Sequence, residues 1–232
     1  MSKSEELWKK LHEESRYRPK YPSENVVQYV FRNFERNGKT KVLDLGCGAG
    51  RHVVFMANEN IVPYGLDFSS EGVNCTKERL HEIGRDGYID NIQVGNLTNI
   101  PFEDDMFDGI ICNGALYYLT YKDAKIAVSE MKRILKKNVG KIFLVVRTTE
   151  DYRCNKDNAL ETDEENTYII NQSSSEKCAY SENGMIMHFF TRAEVEELFK
   201  DFQNLQIDKI VETHDNGKFC DSNYIITATK GE

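Results

Sequence analysis

Three glycines at alternate positions, Gly46, Gly48 and Gly50, follow an apolar run interrupted by Asp44, in the stretch KVLDLGCGAGRH from Lys41 to His52. Glycine accepts positive φ and lets a ligand come close to the main chain. A strand pattern leads into this turn and a helical pattern leaves it, and the free N–H groups of a helix start favour negative groups. The stretch is not a phosphate loop of the form G-x-x-x-x-G-K-[ST], because Arg51 and His52 follow Gly50. It is one residue short of the dinucleotide spacing G-x-G-x-x-G. Asp44 would repel a pyrophosphate and suits a ligand with an ammonium group instead. Asp67, at the end of the next apolar run in YGLDFS, is placed to accept both hydroxyls of a ribose. The ligand these residues imply has a ribose, an ammonium group and no phosphate.

The elements that must position these residues follow from hydrophobic period. KVLDL, IVPYGLD, NIQVGN, FDGIICN and GKIFLVVRT read as strands, separated by helices at about 50–58, 70–83 and in KDAKIAVSEMKRILKK. In the last of these, Ala127, Met131, Ile134 and Leu135 share one face. Continuous apolar strands alternating with helices predict a parallel sheet covered on both sides. Before them, Leu7, Trp8 and Leu11 form a short helical stripe. YRPKYP breaks it, and Ser23 is expected to cap a helix carrying Val26, Val27, Val30, Phe31 and Phe34. Towards the C-terminus GMIMHFF reads as extended, and Thr191 and Glu194 are in capping-box register. LQIDKIVET and SNYIITATK read as two closing strands joined by a turn, an antiparallel pair at one sheet edge. The polar stretch from Thr148 to Asn183 shows no strong period and is expected to be a functional loop.

Length and composition bound the rest. The 232 residues suffice for one domain with a real core, and the 40% hydrophobic content is that of a globular chain. No apolar run reaches the roughly 18 residues of a membrane helix. MSKSEELWKKLHEE is charged and lacks the apolar core of a secretory signal, so the expected location is cytoplasmic. Cys47, Cys75, Cys112, Cys154, Cys178 and Cys220 show neither C-x-x-C pairing nor metal-like His spacing, so they are expected to be reduced thiols, with no metal site. The formal net charge of −8 disfavours broad nucleic-acid binding.

VLDLGCGAG resembles, almost letter for letter, the first motif of the class I S-adenosylmethionine-dependent methyltransferases, and the resemblance runs from about Lys41 to Thr229. It implies a Rossmann-like, doubly wound α/β fold. The sheet would be mostly parallel and seven-stranded with an antiparallel last strand, helices on both faces and an N-terminal helical lid. The whole of 1–232 would be one domain, with 1–40 as the lid and 148–184 as a substrate-side insertion. By resemblance, Asp44 and the backbone at Gly46, Cys47, Gly48 and Gly50 hold the methionine moiety of S-adenosylmethionine, Asp67 the ribose, and Phe68 lies against the adenine. GNLTNIPFEDDMFDGI resembles the adenine-edge segment: Asn96 stands where the family commonly has Asp, its side-chain carbonyl expected to accept from the adenine amino group, and Leu97 offers its backbone N–H. CNGALYYL matches the segment after the fourth strand, where Asn113 and Gly114 face the cofactor.

The methyl acceptor needs a nucleophile held in line with the methyl carbon, and a hydroxyl nucleophile needs a base as well. His188 is the first candidate base, against the alternative of a hydrogen-bonded core histidine. Tyr117 is a second catalytic candidate, and Tyr117, Tyr118 and Arg147 are expected at the substrate. Arg153 and Arg192 are further candidates for anionic groups. His52 is expected to be structural, and His12 and His214 exposed. SRYRPKYPSE is open between a solvated linker and a lid, in which Tyr17 or Tyr21 would close over the cofactor and Arg18 would meet an anionic group. NGAL stands where methylators of adenine amines or glutamine amides carry (N/D)-P-P-Y, so a small metabolite is the favoured acceptor, with hydroxyl, amine, carboxylate, sugar-linked and phosphorylated compounds all open. An RNA or protein methyltransferase and a non-catalytic S-adenosylmethionine-binding domain are the alternatives. The sequence leaves the oligomeric state open.

Overall fold

In the computed structural model, which describes residues 3–155, 157, 159–172 and 181–232, the KVLDL run forms the central strand β1 (Lys41–Leu45) of a seven-stranded sheet. Val42, Leu43 and Leu45 are all fully buried, as a strand covered on both faces requires. The strand order is β3 (Ile92–Val94), β2 (Val62–Asp67), β1, β4 (Gly109–Asn113), β5 (Lys141–Arg147), β10 (Phe219–Lys230) and β9 (Phe202–His214). β1 pairs in parallel with β2 and β4, Asp44 lying level with Gly65 on one side and Ile111 on the other. β10 is antiparallel to both β5 and β9, so it alone runs against the rest. The expected fold class is what the chain adopts. The order of strands turns back between β1 and β4, and beyond their carboxyl ends such a sheet opens a crevice.

Two layers of helix cover the sheet, and alternate strand residues feed them. On one face α2 (Glu24–Asn33) brings Val26 and Val30, with Phe34 just beyond it, against Val42, Ile111 and Phe143. On the other, α5 (Tyr121–Ile134) sets Ala127, Met131 and Ile134 against Leu43, Ile110, Ile142 and Leu144. Leu135 is buried with them but has already left the helix. Each such fully buried aliphatic side chain stabilises by about 1.5–3 kcal/mol. α3 (Arg51–Asn58) and α4 (Ser70–Glu82) follow β1 and β2, and α1 (Lys3–Glu13) packs on α4. Ser23 precedes α2, yet its side chain makes no cap, and its backbone N–H donates to His52 Nε2 at 3.3 Å. Among the described residues no helix is long and apolar enough to cross a membrane.

The stretch from Thr148 to Asn183 corrects the expectation of a structureless loop. It contains β6 (Ala159–Glu161) and β7 (Thr167–Ile170), which join β8 (Ile186–His188) in a small antiparallel sheet. Strands of three or four residues are too short to print a period, and their partner lies far along the chain. The Thr191–Glu194 capping box forms as expected at the start of α6 (Arg192–Leu198). Cys178 falls outside the described residues; the other five cysteines are unpaired.

Candidate functional site

The glycine turn is bonded onto the neighbouring strand: Gly46 N–H donates to the Leu66 carbonyl at 2.8 Å. Gly46 has φ +74°, and a Cβ there would stand 2.3 Å from that of Ala115, in the loop after β4. The turn after β1 and the loop after β4 are thus in close approach here. Gly46→Ala therefore combines a left-handed backbone with a steric clash, and an unfolding free energy lower by roughly 2–4 kcal/mol is expected. Thermal unfolding by circular dichroism should show a Tm lower by about 5–15 °C. Gly50 has another task. It caps α3 at φ +80°, and a Cβ there would lie 2.6 Å from the Thr76 side chain of α4. It serves helix packing and does not line the crevice. Cys47 likewise turns its thiol inward, among Val53, Ala57, Val73 and Leu80, so only its backbone is near a ligand. Burial pushes that thiol well above its ordinary pKa.

Asp67 ends β2 as expected and anchors two turns. Its Oδ2 accepts from Gly48 N–H at 2.8 Å and its Oδ1 from Ser69 N–H at 2.8 Å. Burial raises this carboxyl to about 6, against the pull of those two N–H donors. Asp44 is 1% exposed, and its Oδ2 accepts no hydrogen bond. His52 Nδ1 stands 3.5 Å from that oxygen, so His52 is the structural residue expected. A buried, unsatisfied carboxylate oxygen at the turn is what a ligand's ammonium would satisfy. Arg51 begins α3 half-buried nearby; burial lowers its pKa and the charge of Asp44 opposes this.

A cavity of about 340 Å³ opens over this turn. Gly46, Gly48, Asp67, Phe68, Asn96 and Leu97 line it from the first three strand ends, and Gly114, Ala115 and Tyr118 from the fourth. Asn96 is present but corrected in role. Its carbonyl already accepts from Thr98 N–H and Thr98 Oγ1, each at 3.0 Å, which leaves its NH2 as the group to offer. Gly114 and Ala115 line the cavity, and Asn113 does not.

From the N-terminal segment it is α1 that reaches the cavity, with other residues than those expected. Trp8 and His12, spaced i,i+4 on one helix face, both line the cavity. His12 is 5% exposed, where exposure was expected, and its Nδ1 lies 2.8 Å from Ser69 Oγ. Ser69 Oγ also accepts from Gly72 N–H at 3.2 Å. Burial, reinforced by Arg18, pushes His12 down to about 4. The ring is thus neutral near pH 7, with Nε2 lying against Gly48. Tyr17, Arg18 and Tyr21 stay outside the cavity. Tyr17 carries the Arg16 guanidinium over its ring, and Tyr21 is 77% exposed. Arg18 Nε donates to the His12 carbonyl, closing the end of α1. Nothing in YRPKYP distinguished a linker from a lid, whereas the Trp8 and His12 spacing was an available signal.

The acceptor-side expectations divide. Tyr118 lines the cavity, with its hydroxyl donated to Glu182 at 2.6 Å and its ring edge-on to Trp8 at 5.0 Å. Tyr117 does not: it is buried beneath the Arg147 guanidinium, which lies 4.9 Å from its ring centre. Arg147 itself is 8% exposed and belongs to a buried charge cluster, 2.9 Å from Asp151 and 3.5 Å from Glu182. Arg153 is in the same cluster, with Asp151, Glu182 and Asp221. Arg192 pairs with Glu196 at the surface, and His214 is exposed as expected. His188 is fully buried, with Nδ1 2.7 Å from Thr167 Oγ1, Nε2 3.5 Å from Glu194 and its ring on Tyr121. It is the core histidine of the competing reading, closed off from the cavity. Thr120, Asp123 and Ile186 line the cavity instead. The T-x-x-D spacing that starts α5 was the available signal for the first two.

Residues 42–138 match a family model described as a methyltransferase domain. The chain is 30% identical over 118 residues to the uncharacterized methyltransferase YcgJ of Bacillus subtilis, covering 50% of this chain and 44% of the relative. It is 31% identical over 95 residues to the probable tRNA methyltransferase 9B of Mus musculus, covering 40% of this chain and 19% of the relative. The chain thus spans less than half the length of these two relatives. A SAM-dependent methyltransferase from Methanosarcina mazei has the same fold, with TM-score 0.68 at 21% identity, covering 91% of this chain and 100% of the other. With the first motif folded as a strand, a glycine turn and a helix at the sheet's switch point, residues 42–138 match a methyltransferase domain, and the chain has the Rossmann-like fold of a solved S-adenosylmethionine-dependent methyltransferase.

Proposed function

We propose that the chain transfers the methyl group of S-adenosylmethionine to a small-molecule acceptor. The observation that carries this reading is the cavity over Gly46 and Asp67, roofed by Trp8 and His12 of α1. When bound, S-adenosylmethionine supplies an activated methyl group on a sulfonium. The chain's own residues bind and orient. Asp67 accepts from the ribose hydroxyls, Phe68 lies against the adenine, and Asn96 with the Leu97 backbone reads its edge. Gly46 and Gly48 admit the amino-acid tail, whose ammonium meets the unsatisfied Asp44 and whose carboxylate meets Arg51. Trp8 and His12 exclude water over the reacting centre. Residues 1–40 act as the lid, and 148–184 as a substrate-side insertion, which reaches the cavity wall through Glu182 and Tyr118. Five described cysteines without partners fit a reducing compartment, and the cytoplasm is the proposed location.

The test is methyl transfer from methyl-labelled S-adenosylmethionine by the purified chain, offered in parallel a metabolite extract, total RNA and total protein. Label is expected in the metabolite fraction. Label in RNA or protein alone would overturn the small-molecule acceptor and favour the alternative that the tRNA methyltransferase relative raises.

A further inference from the structure

The class of acceptor is written in the charge of the same cavity, and this inference rests on the reading above. Once the nucleoside and the amino-acid tail are assigned their residues, the side chains that remain beside Gly114 and Ala115 are Trp8, Tyr118, Leu119, Thr120, Asp123 and Ile186. They are aromatic and aliphatic, with the hydroxyls of Tyr118 and Thr120 and one carboxylate. Among the described lining residues there is neither a lysine nor an arginine, and His12 is neutral near pH 7.

Each arginine that the sequence offered to an anionic acceptor is engaged elsewhere. Arg147 and Arg153 are held in the buried cluster, and Arg192 by Glu196. An anionic acceptor would therefore enter a cavity holding two carboxylates, Asp67 and Asp123, with no cationic side chain to receive it. Such a group loses its water and gains nothing in return.

Asp123 has the opposite preference. Its backbone N–H is taken by Thr120 Oγ1 at 3.1 Å, in the cap of α5. Its carboxylate has no hydrogen bond or ion pair within the described chain. Beside it Trp8 and Tyr118 meet edge to face at 5.0 Å. Tyr118 commits its hydroxyl to Glu182, so what it presents is ring. An indole or phenol face attracts a cation, as a carboxylate does.

We propose that the acceptor is an amine-bearing small molecule, its cationic nitrogen paired with Asp123 and its apolar body against Trp8 and Tyr118.

The experiment is calorimetric titration of the full chain saturated with S-adenosylhomocysteine, using three probes with one body: 2-phenylethylamine, 2-phenylethanol and 3-phenylpropionate. The amine is expected to bind at least about tenfold more tightly than the alcohol, and the carboxylate more weakly than either. Asp123→Asn is expected to bring the amine to within about threefold of the alcohol, with S-adenosylhomocysteine affinity held to within about twofold as the control for folding. Equal binding of amine and carboxylate, rejection of the amine, or an amine preference that survives Asp123→Asn overturns the proposal. The comparison of probes on the unsubstituted chain decides by itself if the variant loses its fold. Failure of S-adenosylhomocysteine to bind at all would instead overturn the methyltransferase reading, and this one with it.

Discussion

Asp67→Ala is expected to weaken S-adenosylhomocysteine binding by about a hundredfold or more, measured by isothermal titration at pH 8. Two charge-assisted hydrogen bonds to a ribose are each worth about 1.5–3 kcal/mol, so their joint loss exceeds the 2.7 kcal/mol of a hundredfold change. The same substitution frees the Gly48 and Ser69 N–H groups, both of which donate to this carboxylate at 2.8 Å. The loop that must meet the amino-acid tail then loses its anchor. An affinity within about threefold of the unsubstituted chain would remove the ribose assignment.

The same residue predicts a pH dependence. Burial raises its carboxyl from an ordinary 3.8 to about 6. Ribose hydroxyls donate best to the ionised form, so affinity is expected to be full above about pH 7. Below about pH 6 it should fall by up to tenfold per unit as Asp67 takes up its proton. The ligand-free fold has the opposite sign. A carboxyl raised by folding adds stability that is complete below 3.8 and is lost as pH rises through about 6. Ligand binding and bare stability should therefore move in opposite directions across this window, in titrations and in thermal melts of the free chain. An affinity flat from pH 5 to pH 8 would count against the assignment.

Asp151→Ala is expected to lower the stability of the fold by about 3–5 kcal/mol. Its side chain has no exposed surface and accepts from Arg147 Nη1 at 2.9 Å, Arg153 Nη1 at 3.0 Å and Ser222 N–H at 3.2 Å. Removing it leaves two buried guanidinium groups short of a counter-charge, which costs far more than an exposed pair would. For a chain of this size the Tm should fall by about 6–20 °C in a thermal melt. Raised salt should restore little of it, since buried charges are poorly screened. The substitution separates two roles for Arg147. A substrate-binding arginine would alter transfer and leave the melt within about 2 °C. The buried cluster of β5, the following loop, Glu182 and β10 requires the melt to shift.

Much of this could be read from residue order because it is local. The periods of KVLDL, IVPYGLD and GKIFLVVRT, with the helices between them, identify the parallel sheet. Gly46 and Asp67 sit on the strand ends that the first motif implied. Local spacing failed where the deciding contact was remote. β6 and β7 are three and four residues long and take their identity from pairing with β8. His188 was open between a base and a core histidine, and it took Thr167 and Tyr121, brought in from elsewhere in the chain, to enclose it. Tyr17, Arg18 and Tyr21 had the chemistry of a lid, while Trp8 and His12, five residues or more earlier, were carried onto the glycine turn by the packing of α1 on α4.

By itself the sequence determined the strands and helices of the main sheet, the glycine turn and the family of ligand, because backbone conformation and binary pattern depend on near neighbours. Only the tertiary structure decided which charged groups face the cavity. Arg147 and Arg153 were withdrawn into a cluster closed by Asp221, far along the chain, whereas Asp123 was left facing the cavity. Whether a charge serves the fold or meets a ligand depends on which opposite charge folding brings within about 4 Å, where the interaction in a low-dielectric interior outweighs anything composition records.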